Sequence, residues 1–323
     1  MSQLIPPPTS YSPFQYHPGT GTLILVACNG TPSYNFDNLA TYSFDGTSFT
    51  LLSGFPSQST TNSGPPLMTN TSMAYDGTNM VLFSGKGVTP SNYLNSTWLL
   101  NSSGVWAKSA APNTSIATAP QQRASAYMAQ QDAASTLMFG GVDNQLTFTD
   151  AGSVYNYSEA GGWVNVPVAF LPPCRLNGSV ASNGTSQVLC GFGANRNGGC
   201  LNDLYSWSGA AWSKLTTTGA NTTSGAPSAR HSAAMCWNGA SYVLFSGQDQ
   251  GGNPLQDTWT LNTTGAFTQV TTTNQPSARW GAQMAYLSSA SAVFLFGGVN
   301  GSAYPLADCW KLPVGGTTWV QVF

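Results

Sequence analysis

Ser228 to Pro276 reads SARHSAAMCWNGASYVLFSGQDQGGNPLQDTWTLNTTGAFTQVTTTNQP, and its signposts recur along the whole 323-residue chain. Arg230 precedes an alternating run that ends at Trp237. An Asn-Gly turn leads into an apolar run that stops at Ser246-Gly247, and then come Asp257-Thr258-Trp259 and Phe267. Runs of about five residues rich in Val, Leu, Phe, Tyr, Trp and Thr, divided by Gly, Asn and Ser, predict four antiparallel strands. One such sheet leaves both faces uncovered, so it must stack on copies of itself.

The copies are found by working outward. Units are predicted at residues 9–60, 66–118, 121–171, 173–226, 228–276 and 277–323, with residues 1–8 sealing the ring beside the last unit and nothing left for a second domain. An aromatic opens each fourth strand: Phe49, Trp106, Trp163, Trp212, Phe267 and Trp319, at gaps of 57, 57, 49, 55 and 52. A second aromatic column, Tyr42, Trp98, Tyr155, Tyr205, Trp259 and Trp310, marks the third strands. A large ring at the same place on every sheet suits sheet-on-sheet stacking, since each buries roughly 150–250 Å². Four strands per period of about 50 residues predict an all-β fold, a six-bladed β-propeller of four-stranded antiparallel blades.

The repeat also resembles a known motif. Arg before the first strand, Phe-Gly-Gly or Phe-Ser-Gly after the second (Phe139 to Gly141, Phe296 to Gly298, Phe83 to Gly85, Phe245 to Gly247), Asp-x-Trp in the third (Asp257 and Trp259, Asp308 and Trp310) and Trp in the fourth look like the kelch motif. Unit four has Cys190-Gly191-Phe192 at the doublet, and unit one has Ala27-Cys28. The resemblance implies that the repeated Arg bonds loop carbonyls or the blade Asp.

Composition bounds the partners. Charged residues are 6% of the chain, against about 25% in ordinary globular proteins. The formal net charge is −2, and the basic residues are scattered, which leaves no footprint for nucleic acid. No apolar run approaches the roughly 18 residues of a membrane helix, so no membrane insertion is expected. The start, MSQLIPPPTSYSPF, lacks the basic and apolar regions of a secretory signal. Sequons such as Asn29, Asn95, Asn101, Asn183, Asn221, Asn262 and Asn300 are frequent because Asn, Ser and Thr are. Cys190 and Cys200 flank a loop where a disulfide or two free thiols both fit, and two histidines with no CxxC pair give no zinc site.

Loop lengths distinguish the two faces. First-to-second and third-to-fourth turns are short, whereas the second-to-third connections and the links between blades are long and share one face, where binding residues are expected. Candidate ligand-binding residues there are Arg123, Arg175, Arg230 and Arg279 as a half-ring of guanidiniums, and His231, Trp280, Tyr93, Arg196 and Tyr304 as a stacking surface for sugars. Enzymatic readings lack their residues. A galactose-oxidase-like site would need copper with two His and Tyr ligands, and a sialidase-like site needs a carboxylate and a Tyr–Glu pair, yet Glu159 is the only Glu and sits in a short turn. The expectation is a non-catalytic recognition or assembly module without cofactors or metal, binding a protein partner or a cell-surface glycan. An extracellular or virion surface (tail-fibre, receptor-binding or capsid-decoration type) suits the uncharged composition; the alternative is a cytoplasmic kelch scaffold.

Overall fold

The sheets are shaped by their turns. Asp76 Oδ1 accepts hydrogen bonds from the backbone N–H of Thr78 (2.9 Å) and Asn79 (2.7 Å), and Asn183 and Asn238 hold the equivalent turns in blades 4 and 5. A short polar side chain closes a turn on its own backbone in this way. Asn101 and Asn262 repeat the device between third and fourth strands, and Asn300 in a long loop. The sequons at Asn101, Asn183, Asn262 and Asn300 thus stand where turn chemistry selects asparagine.

A computed structural model describes residues 4–28, 38–56, 64–87, 93–110, 119–142, 154–217 and 225–323. Its strands form six antiparallel blade sheets, each ordered first to fourth, and a two-stranded sheet that pairs Arg279–Trp280 with Val299–Asn300. Blade 1 runs from Phe14–His17 to Phe49–Pro56, blade 2 from Ser72–Tyr75 to Trp106–Lys108, and blade 3 from Tyr127–Gln130 to Gly162–Val166. Blade 4 runs from Ser179–Ser182 to Trp212–Lys214, blade 5 from Ala234–Trp237 to Phe267–Val270, and blade 6 from Gln283–Leu287 to Val320–Gln321. The first strands touch one another in cyclic order, blade 6 meeting blade 1. The fold is therefore a six-bladed β-propeller around an axial channel. Among the described residues no helix is long and apolar enough to cross a membrane.

At four of the six junctions, neighbouring blades are joined by a two-bond backbone seam on the long-loop face. Arg279 of blade 6 donates its N–H to Leu255 O of blade 5 (3.0 Å), and its carbonyl accepts from Gly247 N–H (3.0 Å). The same pair of bonds joins Arg230 to Leu201 and Gly193, and Arg123 to Leu94 and Gly85. Thr9 occupies that position in blade 1, donating to Leu306 O (3.1 Å) and accepting from Gly298 N–H (2.8 Å). So the ring closes through Thr9, while Leu4 and Ile5 are exposed and Gln3 lies outside the described residues. The glycine is required there: Gly247 has φ 108°, and a Cβ on it would stand 2.9 Å from His231 O.

Between blades, the fourth-strand aromatic column reaches the third strand of the preceding blade. Trp106, Trp163 and Trp319 each donate the indole N–H to a threonine in the third strand of the preceding blade: Thr41 (2.9 Å), Thr97 (2.8 Å) and Thr258 (3.1 Å). Phe49 and Phe267 have no N–H, and the preceding blades place Cys309 and Leu204 at the threonine position. Trp212 breaks the rule. It meets Val154, in the same buried cluster, and its indole nitrogen is buried without a partner. Burying a ring of about 200 Å² is worth on the order of 5 kcal/mol, so Trp212 is retained for its area while its N–H goes unmatched. Val154→Thr is expected to supply the missing acceptor and raise stability by about 1 kcal/mol, whereas Thr97→Val should lower it by about 1–3 kcal/mol. Urea denaturation of the two variants measures both.

Candidate functional site

The four arginines are the first residues to locate, and the structure removes them from any ligand. Each is at most 2% exposed. Arg279 donates Nε–H to Ser277 O (3.0 Å), Nη1–H to Gly297 O (3.0 Å) and Asp308 Oδ1 (2.7 Å), and Nη2–H to Asp308 Oδ2 (2.8 Å). Arg230 with Asp257 and Arg175 with Asp203 repeat this network, tying the link between blades to the end of the second strand and the start of the third. Arg123 bonds Gln121 O and Gly140 O and lies 5.4 Å over the Tyr155 ring. The expected half-ring of guanidiniums for an anion is therefore corrected: these groups are buried and engaged by the framework. The column continues into blades 1 and 2 as Thr9 and Met68, which lack the charge.

The Asp-x-Trp spacing has the same purpose. Trp259 and Trp310 donate their indole N–H back to the Asp two residues earlier, each at 2.6 Å, and Tyr205 does so with its hydroxyl at 3.0 Å. Burial alone would raise the pKa of Asp203, Asp257 and Asp308. The hydrogen bonds and charge of the paired Arg outweigh it and hold all three below the ordinary carboxylate value. A depressed folded pKa contributes stability that is complete above the unfolded value near 3.9 and is lost as pH falls through the folded pKa. Asp257→Asn should therefore lower stability at pH 7 by about 3 kcal/mol and reduce the loss on acidification. Thermal melts between pH 7 and pH 2 test this.

Of the remaining candidates, Tyr93 is 6% exposed, packed with Ala124 and Val142, so it offers no stacking face. His231 and Trp280 are half-buried beside the loops of blades 5 and 6, where His231 pairs with Gln248 and Trp280 with Val299. Arg196 and Tyr304 are exposed, Tyr304 by 68%. They stand on equivalent protrusions: the long loops of blades 4, 5 and 6 each leave the second strand, turn back on Asn195, Asp249 or Asn300, and return through a short bridge. Gln250 of blade 5 reaches blade 4, accepting from Cys200 N–H (2.6 Å) and donating to Gly198 O (3.4 Å). The structure thus brings Arg196, His231, Trp280 and Tyr304 onto one rim spanning three blades. Residues 88–92 of the blade 2 loop, and Asn29 and Asn221, lie outside the described residues.

Sequence reasoning missed the centre of that face. Two residues after the Arg column, Tyr11, Asn70, Ser125, Asn177 and Ser232 all have φ between 50° and 56°, and Gly281 has φ 66°. Backbone bonds link four of the six neighbouring pairs, as from Gly281 N–H to Ser232 O (2.9 Å). Tyr11 lies over Gly281 and reaches Ser232 Oγ of blade 5 (2.8 Å), which also meets His231 Nδ1 (2.8 Å). Burial lowers the His231 pKa, and among the described residues no carboxylate orients its ring. The trio links blades 1 and 5 at this end of the channel. The fixed offset from the Arg column was the signal available in the sequence.

The other residues weighed for chemistry are separated. His17 ends the first strand of blade 1 at the short-turn side, fully buried, whereas His231 lies on the long-loop side. The chain has two histidines, so a two-His copper site cannot assemble within it. Among the described residues no group of three or more His, Cys, Asp or Glu is placed to hold a metal ion. Cys190 and Cys200 are both free thiols: Cys190 is buried in its strand, and Cys200 faces Gln248 O of the next blade.

A family model described as the KLHDC2/KLHL20/DRC7 Kelch-repeats domain matches residues 180–323, the span that begins in the first strand of blade 4. No curated protein matches the chain. The kelch repeat is generally a non-enzymatic protein-interaction module. The matched blades and the six-bladed ring that continues their pattern support a place for this chain among the kelch-repeat β-propellers.

Proposed function

We propose that the protein is a recognition or assembly module that binds a protein partner through the rim formed by the long loops of blades 4 to 6. The observation that carries this is the preorganised rim: three hairpin protrusions braced on their own Asx turns, those of blades 4 and 5 also on each other, presenting Tyr304 and Arg196 to solvent. Tyr and Arg are the residue types that anchor protein interfaces, and a rigid rim loses little entropy on binding. A glycan is the other ligand compatible with such a surface and is an outcome of the test below.

The setting we propose is an extracellular or virion surface, supported by the 6% charged content. A cytoplasmic scaffold is the second reading, favoured by the five described cysteines, all free thiols. Immobilised propeller and its Arg196→Ala/Tyr304→Ala variant can be compared as baits on source material. The proposal expects one protein retained by the wild type and weakened about 10- to 100-fold by the pair, with the melting temperature unchanged. Retention of the same partner by both baits, or binding to a glycan array alone, contradicts it. Mass spectrometry of purified particles, secreted material and cell lysate assigns the setting.

A further inference from the structure

The opposite end of the channel, on the short-turn face, carries a site that the loop rim does not explain. The last channel-facing position of each first strand forms a ring: Tyr16, Tyr75, Gln130, Ser182, Trp237 and Tyr286, one per blade. Four of the six are aromatic and fall on consecutive blades, 5, 6, 1 and 2, while the polar pair completes the ring in blades 3 and 4. All six are half-buried, and among the described residues none of the four rings stacks on another of the four. Behind them the neighbouring column is small, Ala in four blades and Cys236 in blade 5, with Gln15 in the sixth place. Small residues behind large ones leave a hollow of about 190 Å³, about six waters at roughly 30 Å³ each.

The chemistry of the wall selects the ligand. No Asp, Glu, Lys or Arg lines the hollow, so an ion would be desolvated there without compensation. The polar side chains are the amides of Gln15, Gln130 and Asn183 and the hydroxyls of Ser182 and the three tyrosines. Among the described residues the Gln15 side chain has no hydrogen-bond partner, and the Gln130 side chain donates to Asp132 O while its carbonyl oxygen remains open. Partly exposed aromatic faces lining one hollow with amides that keep open hydrogen-bonding groups suit a molecule that is apolar on its faces and rich in hydroxyls at its edge. We propose that the short-turn mouth of the channel binds an uncharged sugar ring, its face on the aromatic arc and its hydroxyls on Gln15 and Gln130. The site is independent of the protein-binding rim, and the two fail or stand separately.

Saturation-transfer NMR and titration with neutral hexoses, N-acetylhexosamines and their methyl glycosides test it. The expected result is saturable binding of at least one neutral sugar with Kd on the order of 1 mM. It should be weakened at least tenfold by Gln15→Ala/Gln130→Ala, abolished by Ser182→Arg, and untouched by Tyr304→Ala on the far face. Binding of methyl glycosides as well as free sugars marks the end of a glycan chain as the source, and binding of free sugars alone marks a small metabolite; both support the site. No saturable binding across the panel, or binding unaltered in the Gln15/Gln130 variant or in Ser182→Arg, overturns it. Near-UV circular dichroism verifies the fold of each variant.

Discussion

Everything in this propeller depends on the seam where one blade hands the chain to the next. A β-sheet has two edges, and a ring of separate sheets must hold them in register without continuing the ladder from blade to blade. The answer at four junctions is a local pair of backbone bonds: the residue leading into blades 1, 3, 5 and 6 gives its N–H to a loop leucine of the previous blade and takes one from that blade's glycine. In blades 3 to 6 the same residue is an arginine whose side chain is buried among carbonyls and, in blades 4 to 6, paired with an aspartate. One residue thereby fixes the link between blades with its backbone and the interior of its own blade with its side chain.

That economy explains why a charge-poor protein spends its few charges here. Breaking a buried pair leaves an unmatched ion, which costs far more than the pair contributes net, so the network works mainly as a constraint on geometry. Blades 1 and 2 show what remains when the charge is dropped. Thr9 keeps the backbone seam without a guanidinium, and Met68 fills the corresponding place with apolar bulk. The matching of Trp106, Trp163 and Trp319 with Thr between adjacent blades is a second layer of the same logic, because each of these buried N–H groups meets an acceptor set by a different repeat.

Much of this was legible in the sequence because a repeat multiplies weak signals. The two aromatic columns, Phe49 to Trp319 and Tyr42 to Trp310, located the blades, and the length of GANRNGGCLN, GQDQGGNPLQ and GVNGSAYPLA located the variable face. The fate of individual side chains was not legible. Arg230 and Tyr304 are both polar residues near long loops, yet one is 1% exposed and the other 68%, a difference set by three-dimensional neighbours. Tyr93 looked like a loop aromatic because its place depends on contacts with Ala124 and Val142 of the next blade. The ring of left-handed residues, Tyr11 to Gly281, was hidden because only one of the six is glycine. The aromatic arc on the short-turn face escaped notice because Tyr16, Tyr75, Trp237 and Tyr286 sit in ordinary strand alternation and meet only when the ring closes.

Closure through Thr9 is the point at which the structure stands or falls, and amide hydrogen exchange reads it directly. Stable seams predict that the amides of Thr9 and Gly298 exchange as slowly as those of Arg230, Gly193, Arg279 and Gly247, whose bonds they duplicate. Fast exchange at Thr9 and Gly298 beside protected amides at the other seams would mean that blades 6 and 1 are not joined, and would contradict the closed ring.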